Sequence, residues 1–138
     1  MANKSTFQFN DFLINKSTFE LTEKVNDSEL SVGFNPSGKL DMNNHTFHLN
    51  LGIKIANKSK SVNIEIESTG FFEFENFELE SLKPFLFQNA PAILFPYIRA
   101  YISTLTTQSG IQPIVLPTFN LSDLKEELEQ NIEEASLE

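Results

Sequence analysis

His45 and His48 are the only imidazoles in this chain, and it contains no cysteine. Imidazoles and thiolates supply most metal ligands and many neutral-pH nucleophiles and bases, so the chain has few groups for such chemistry. A spacing of three within a strand puts the two rings on opposite faces, where they cannot share a metal ion. The remaining candidates are carboxylates, Glu65 with Glu67 and Glu73 with Glu75, each pair interleaved with apolar residues. That alternation describes the solvent side of a strand better than an acid–base couple. No phosphate-binding loop, dinucleotide fingerprint, His-Glu-x-x-His helix or nucleophile–base arrangement occurs in the sequence. The expectation is a protein without enzymatic activity, cofactor or metal.

What the chain has in surplus is aromatic surface. It holds 14 phenylalanines and no tryptophan, and Phe71, Phe72, Phe74, Phe77, Phe85, Phe87 and Phe95 crowd into one stretch. Burying one such ring contributes about 1.5–3 kcal/mol, so the drive to cover them is strong. A core plus an interface between copies would absorb most of them. An open apolar groove is the other use for them, because a large exposed apolar patch marks a binding surface.

The elements that must position these rings are strands first and helices after. From Thr6 to Glu80, Phe and β-branched residues fall at alternate positions. Phe47, Leu49, Leu51, Ile53 and Ile55 share one face, and beyond an Asn57–Lys60 turn Val62, Ile64 and Ile66 do the same, which predicts a hairpin. Leu30, Val32 and Phe34 form a shorter strand expected to end at the turn signal Asn35-Pro36-Ser37-Gly38. The first segment changes phase between Phe9 and Phe12 and again between Ile14 and Phe19, so it is either bulged or two strands. A helix is expected from Asn89, a cap, and Pro91, with Pro96 restarting or kinking it. Leu94, Tyr97, Ile98, Tyr101, Ile102 and Leu105 make its apolar face, and Gly110 closes it as a left-handed cap. Pro113 and Pro117 bracket the apolar run Ile114–Leu116. Leu124, Leu128 and Ile132, four apart among acids, predict an amphipathic last helix capped by Ser122 or Asp123. The fold class is α+β, an antiparallel sheet covered on one face by a long helix and a C-terminal helix.

At 138 residues the chain is expected to be one domain, 1–138, with 121–138 an acidic tail. That tail carries seven acids and one lysine of a formal net charge of −9. Nucleic acid is a poor partner for such a surface, since phosphate binding needs clustered Lys and Arg, whereas a basic protein suits it. The start has no signal-like apolar stretch and no run approaches the roughly 18 residues of a membrane span, so a cytoplasmic protein without membrane insertion is expected.

The block Gln88–Leu121 resembles the SecB family of export chaperones. The shared elements read Pro91, then Ile93-Leu94-Phe95-Pro96-Tyr97, Arg99, Gly110, and a Pro-bounded connector from Pro113 to Asn120. The resemblance implies a four-stranded antiparallel sheet followed by a long helix and a C-terminal amphipathic helix. It also implies an ATP-independent holdase for unfolded polypeptides, preproteins handed to SecA among them, assembled as a tetrameric dimer of dimers. It places a client groove at Val62, Ile64, Ile66 and Ser68, with Val32 and Phe34 on the neighbouring strand. A SecA-docking face follows at Glu20 and Glu65 on the other side of the sheet. Lys16 stands where the family often has an acid, a reversal that disfavours a basic partner. Two other readings stay open: a SecB-like chaperone dedicated to another client such as an antitoxin, and an oligomeric binding or scaffold protein with no chaperone activity.

Overall fold

Unbroken alternation through Phe47–Ile55 and Val62–Ile66 demands two strands with one dry face, and the domain is built around them. The structure, a computed structural model, describes residues 4–22 and 29–134. Strands β3 (Thr46–Asn57) and β4 (Val62–Glu75) pair antiparallel, with Ile53 opposite Ile66 and Leu49 opposite Gly70. In the turn between them the Asn57 amide donates to Ser61 Oγ and its oxygen accepts from the Val62 N–H. Lys60 takes the left-handed backbone (φ 59°) that the tight turn requires.

Strand β1 (Thr6–Leu21) pairs with the full length of β4. It is one strand, with register slips between Phe9 and Asp11 and between Ile14 and Lys16. Each slip is a bulge that adds one residue and restores the phase. Phe7, Phe9, Phe12, Ile14, Phe19 and Leu21 therefore all lie on the dry face, opposite Phe74, Phe72, Gly70, Ser68, Ile64 and Val62.

Strand β2 (Leu30–Asp41) does not stop at Asn35–Gly38 but runs straight through it along β3. Two facts make this possible. The Gly38 N–H donates outward, away from β3, to Asn131 C=O (3.2 Å). Pro36, two residues back in an unslipped ladder, shares that parity, so its missing N–H costs β3 nothing. At Gly38 a Cβ would lie 2.7 Å from the Phe47 ring and 2.9 Å from Ile132 Cδ1, so the position has room for hydrogen alone. The real turn comes later, at Met42–His45, where Asp41 Oδ1 accepts the N–H groups of Asn43 and Asn44.

The helical layer starts earlier than Asn89. Helix α1 (Leu79–Pro84) passes through a π-helical turn, Phe85–Asn89, into α2 (Ala90–Gln108). Asn89 already has helical backbone and its side chain caps nothing, so the expected start is corrected by ten residues. The buried positions explain the π-turn: Leu82, Leu86, Ala90, Leu94, Ile98, Ile102 and Thr106 recur every four residues. A regular helix would swing that row by about 40° per repeat. The wider π-turn removes part of the drift and keeps the row on the sheet. Leu94 comes down on Gly70, where a Cβ would meet it at 3.3 Å. The helix runs on through Pro96 and ends at Gly110, which is left-handed (φ 87°) as its place predicts.

The C-terminal segment differs from a single amphipathic helix. A 3₁₀ turn, Leu121–Leu124, is capped by Asn120 rather than Ser122 or Asp123, its oxygen accepting from the Ser122 N–H. A short α3 (Lys125–Gln130) then gives way to β5 (Ile132–Glu134), which pairs parallel with Gly38–Leu40 of β2. The sheet thus has a fifth strand and the order β1-β4-β3-β2-β5. Glu138 and its three predecessors in the acidic tail lie outside the described residues. Among the described residues no helix is long and apolar enough to cross a membrane.

Candidate functional site

The connector between α2 and the 3₁₀ turn contains Pro113 and Pro117, which lack N–H groups and break any ladder. It is held instead by the last turns of α2. The Thr106 hydroxyl donates to Ile102 C=O (2.9 Å) and accepts from the Ile114 N–H (2.9 Å), while Ser103 Oγ donates to Ile114 C=O (2.9 Å). Both polar backbone groups of Ile114 are thereby satisfied by helix side chains. Leu116 is then pulled inward and buried, and Val115 points out, 71% exposed.

This leaves a cleft of about 360 Å³ between the connector and the margin of β2, lined by Leu30, Val32, Val115, Leu116, Pro117 and Phe119. Beside it Phe34, Phe95 and Phe119 meet edge to face, with ring centroids 5.2–5.8 Å apart. Among the described residues no titratable side chain lines the cleft. It can remove apolar side chains from water and present backbone groups at a strand edge, and this is the chemistry of holding polypeptide.

The six groove residues read from sequence do not form one surface. Val62, Ile64, Ile66 and Ser68 are sealed in the core under the helical layer, and the Ser68 hydroxyl is occupied by Leu51 C=O (2.8 Å). Val32 and Phe34 are half-buried on β2, which neighbours β3 and not β4, so Ile53 and Ile55 separate the two groups. The groove as first drawn is corrected accordingly: Val32 lines the cleft, Phe34 abuts it, and the β4 residues lie buried apart from it. Val115, Pro117 and Phe119 were missed as lining residues. Their signal was the Pro-bounded apolar run itself, which has no strand or helix period to carry it into the core.

Glu20 and Glu65 sit on the opposite, helix-free face, Glu20 across from Asn63 and Glu65 across from Thr18. Lys16 reaches Glu65 at 4.0 Å, an exposed pair that offsets part of the acidic character of that face. His48 lies on this face against Phe71 (4.8 Å), and His45 is in the β2–β3 turn with positive φ, so the two imidazoles do not converge. At the β1 end of the molecule, Phe9 and Phe12 pack with tilted rings against Tyr97 (centroids 5.3 and 4.9 Å), and the Tyr101 hydroxyl donates to Ser17 Oγ. Tyr97 and Leu13 remain 44% and 51% exposed there.

A sheet with this helical cover, connector and cleft can be set against known proteins. The family model described as preprotein translocase subunit SecB matches residues 13–131. The chain belongs to the SecB family. The protein-export protein SecB of Orientia tsutsugamushi (strain Boryong) is 30% identical over 112 residues, covering 78% of this chain and 68% of that protein. An uncharacterized protein of Methanocaldococcus jannaschii, MJ0357, is 29% identical over 140 residues, covering 95% of this chain and 90% of its own. The same fold occurs in the Mycobacterium tuberculosis Rv1957 SecB-like chaperone, in complex with a ChAD peptide from the Rv1956 HigA1 antitoxin. That structure superposes with a TM-score of 0.71 at 18% identity, covering 82% of this chain and 90% of the other. The SecB fold is therefore as expected, with β5 a fifth, parallel strand beyond the four that were expected.

Proposed function

We propose that this SecB-family protein is an ATP-independent, non-enzymatic holdase that keeps client polypeptides unfolded in the cytoplasm. The observation that carries this reading is the cleft beside β2, lined among the described residues by apolar side chains and with Val115 exposed at its margin. The chaperone context of the relatives supports it: one is named for protein export, and another holds an antitoxin-derived peptide. Clients would enter as extended segments whose apolar side chains fill the cleft while their polar flanks stay in water.

Two client classes fit, preproteins delivered to SecA and a dedicated antitoxin. For delivery, the docking face would be that of Glu20 and Glu65, with Lys16 weakening it by pairing with Glu65. A homotetramer completes the reading, because the exposed Tyr97 and Leu13 and the long β1 edge would be covered by further copies.

The test is suppression of aggregation of an unfolded client by the full-length protein, compared with Val115→Asp. Suppression by the parent and its loss in the variant support the cleft, and no suppression by the parent at equimolar client rejects the holdase. Co-precipitation with SecA, repeated with Lys16→Glu, separates export from the dedicated client. Light scattering at micromolar concentration tests the tetramer.

A further inference from the structure

The outer edge of β1 is palindromic. The Thr22 N–H donates to Ser61 C=O, which continues the β1–β4 ladder and fixes which groups of β1 face β4. Carried along the register, the groups left facing outward are those of Phe7, Phe9, Phe12, Ile14, Ser17 and Phe19. Phe12 confirms the direction, since its N–H donates to the Asp11 carboxylate (2.8 Å) rather than to β4. These residues stand two, three, two, three and two apart, because each bulge inserts one residue. The series reads the same from either end, with Leu13 at its centre. Leu13 is 51% exposed on the helix-free face, and the outward phenylalanines are only half-buried on the other.

Such an edge matches an antiparallel copy of itself. Two copies turned about an axis at Leu13 set Phe7 against Phe19, Phe9 against Ser17 and Phe12 against Ile14, all on the dry face. Bulge then lies against bulge, Asn10-Asp11 of one strand facing Asn15-Lys16 of the other. On the helix-free face this puts Asp11 of one copy beside Lys16 of the other, once on each side of the axis. We propose that Asp11 and Lys16 are the residues by which this chain recognises its own copy, the carboxylate of each β1 meeting the lysine of the other. This rests on the assembly reading and specifies its contact. Within one copy both charges are exposed: Asp11 has no cationic partner among the described residues, and Lys16 reaches Glu65 only at 4.0 Å. Sliding either strand by two residues, the smallest step that keeps the faces matched, separates the pair and sets the bulges against regular stretches. Charge and backbone therefore select the same alignment.

The test uses the full-length protein and the charge reversals Asp11→Lys and Lys16→Asp. Alone, each sets like charges together at both contacts and should weaken self-association by about tenfold or more in sedimentation equilibrium. Mixed in equal amounts, the two variants set lysine against aspartate at both contacts, and the mixture should recover the parental mass. In the parent, exchange of the Phe12 and Ile14 amides should slow as protein concentration rises, a readout that needs no variant. Variants that self-associate like the parent would overturn the charge pair. Loss in both variants without recovery on mixing, or Phe12 and Ile14 exchange that ignores concentration in an assembled parent, would overturn the alignment and leave assembly standing. A parent that is monomeric at micromolar concentration removes the assembly reading and this inference together.

Discussion

Val62–Ile66 on β4 and Leu30–Phe34 on β2 obey the same alternating pattern, yet one is core and the other is the wall of a cleft. The difference lies in what sits above them. Over β4 lie the α2 rungs Leu94, Ile98 and Ile102, all fully buried. Over the start of β2 lies a connector that cannot form regular structure because of its two prolines, pinned at Ile114 by two side chains of α2. A continuous helix seals a sheet, and a tethered loop leaves it ajar. The proposed client contact accordingly belongs to the margin of the sheet rather than its centre.

The sharpest way to break this contrast is a charge in the centre. Ile64→Asp would bury an unpaired carboxylate among apolar side chains and should cost about 4 kcal/mol or more, enough to unfold the domain in urea titration or circular dichroism. A variant that stayed folded and lost only client holding would show that the centre is open too. Next in size is Gly70→Val, whose methyls would push against Leu94 and the Phe72 ring and should cost about 1–3 kcal/mol by lifting α2. Thr106→Val keeps volume but leaves the Ile114 N–H without its acceptor, for about 1–2 kcal/mol in denaturant melts and faster exchange of that amide. At the margin, Val115→Asp should change stability by no more than about 0.5 kcal/mol while abolishing aggregation suppression. Equal suppression by this variant would place the client elsewhere.

The smallest effect is expected at the far end of β2. Hydrogen bonds from Asn44, backbone first and then side chain, hold the Asp41 carboxyl below its ordinary range. A depressed carboxylate stabilises the fold above its unfolded pKa of about 3.9, and that contribution is lost as pH falls through the folded value. Asp41→Asn should thus flatten the acid limb of the stability curve and leave the neutral region and the cleft unchanged. Loss of client holding in this variant would mean that the two ends of β2 are coupled.

Most of the fold was legible where one local signal acted alone. The β3–β4 hairpin and the Gly110 helix end were read directly, because alternation and a left-handed cap need no tertiary information. The phase changes in β1 were visible but ambiguous, since only pairing with β4 tells a bulge from a break. Asn35-Pro36-Ser37-Gly38 has every local mark of a turn and is a strand, because the parity of Pro36 and the crowding of Gly38 by Phe47 and Ile132 are set by distant residues. The helix start was placed late for a similar reason: Pro91 reads as a first-turn proline, and a π-turn upstream has no sequence signature. At the cleft, alternation placed Val32 and Phe34 on a strand, and only the family resemblance set them at a groove. Val115 and Phe119 went unread, since their role depends on a loop held by Thr106 and Ser103.

The two bulges of β1 bear on a hazard peculiar to a protein of this kind. A sixteen-residue strand at the margin of a sheet is a template on which further chains can stack without limit, and a holdase works among unfolded chains that would supply them. At Asn10 and Asn15 the spacing of edge groups is interrupted twice, so a flat foreign strand cannot keep step along its length. A partner shaped to match can still do so, and another copy of the same bulged strand is the obvious one. Irregularity here works as a password that only a strand bulged at the same places can read.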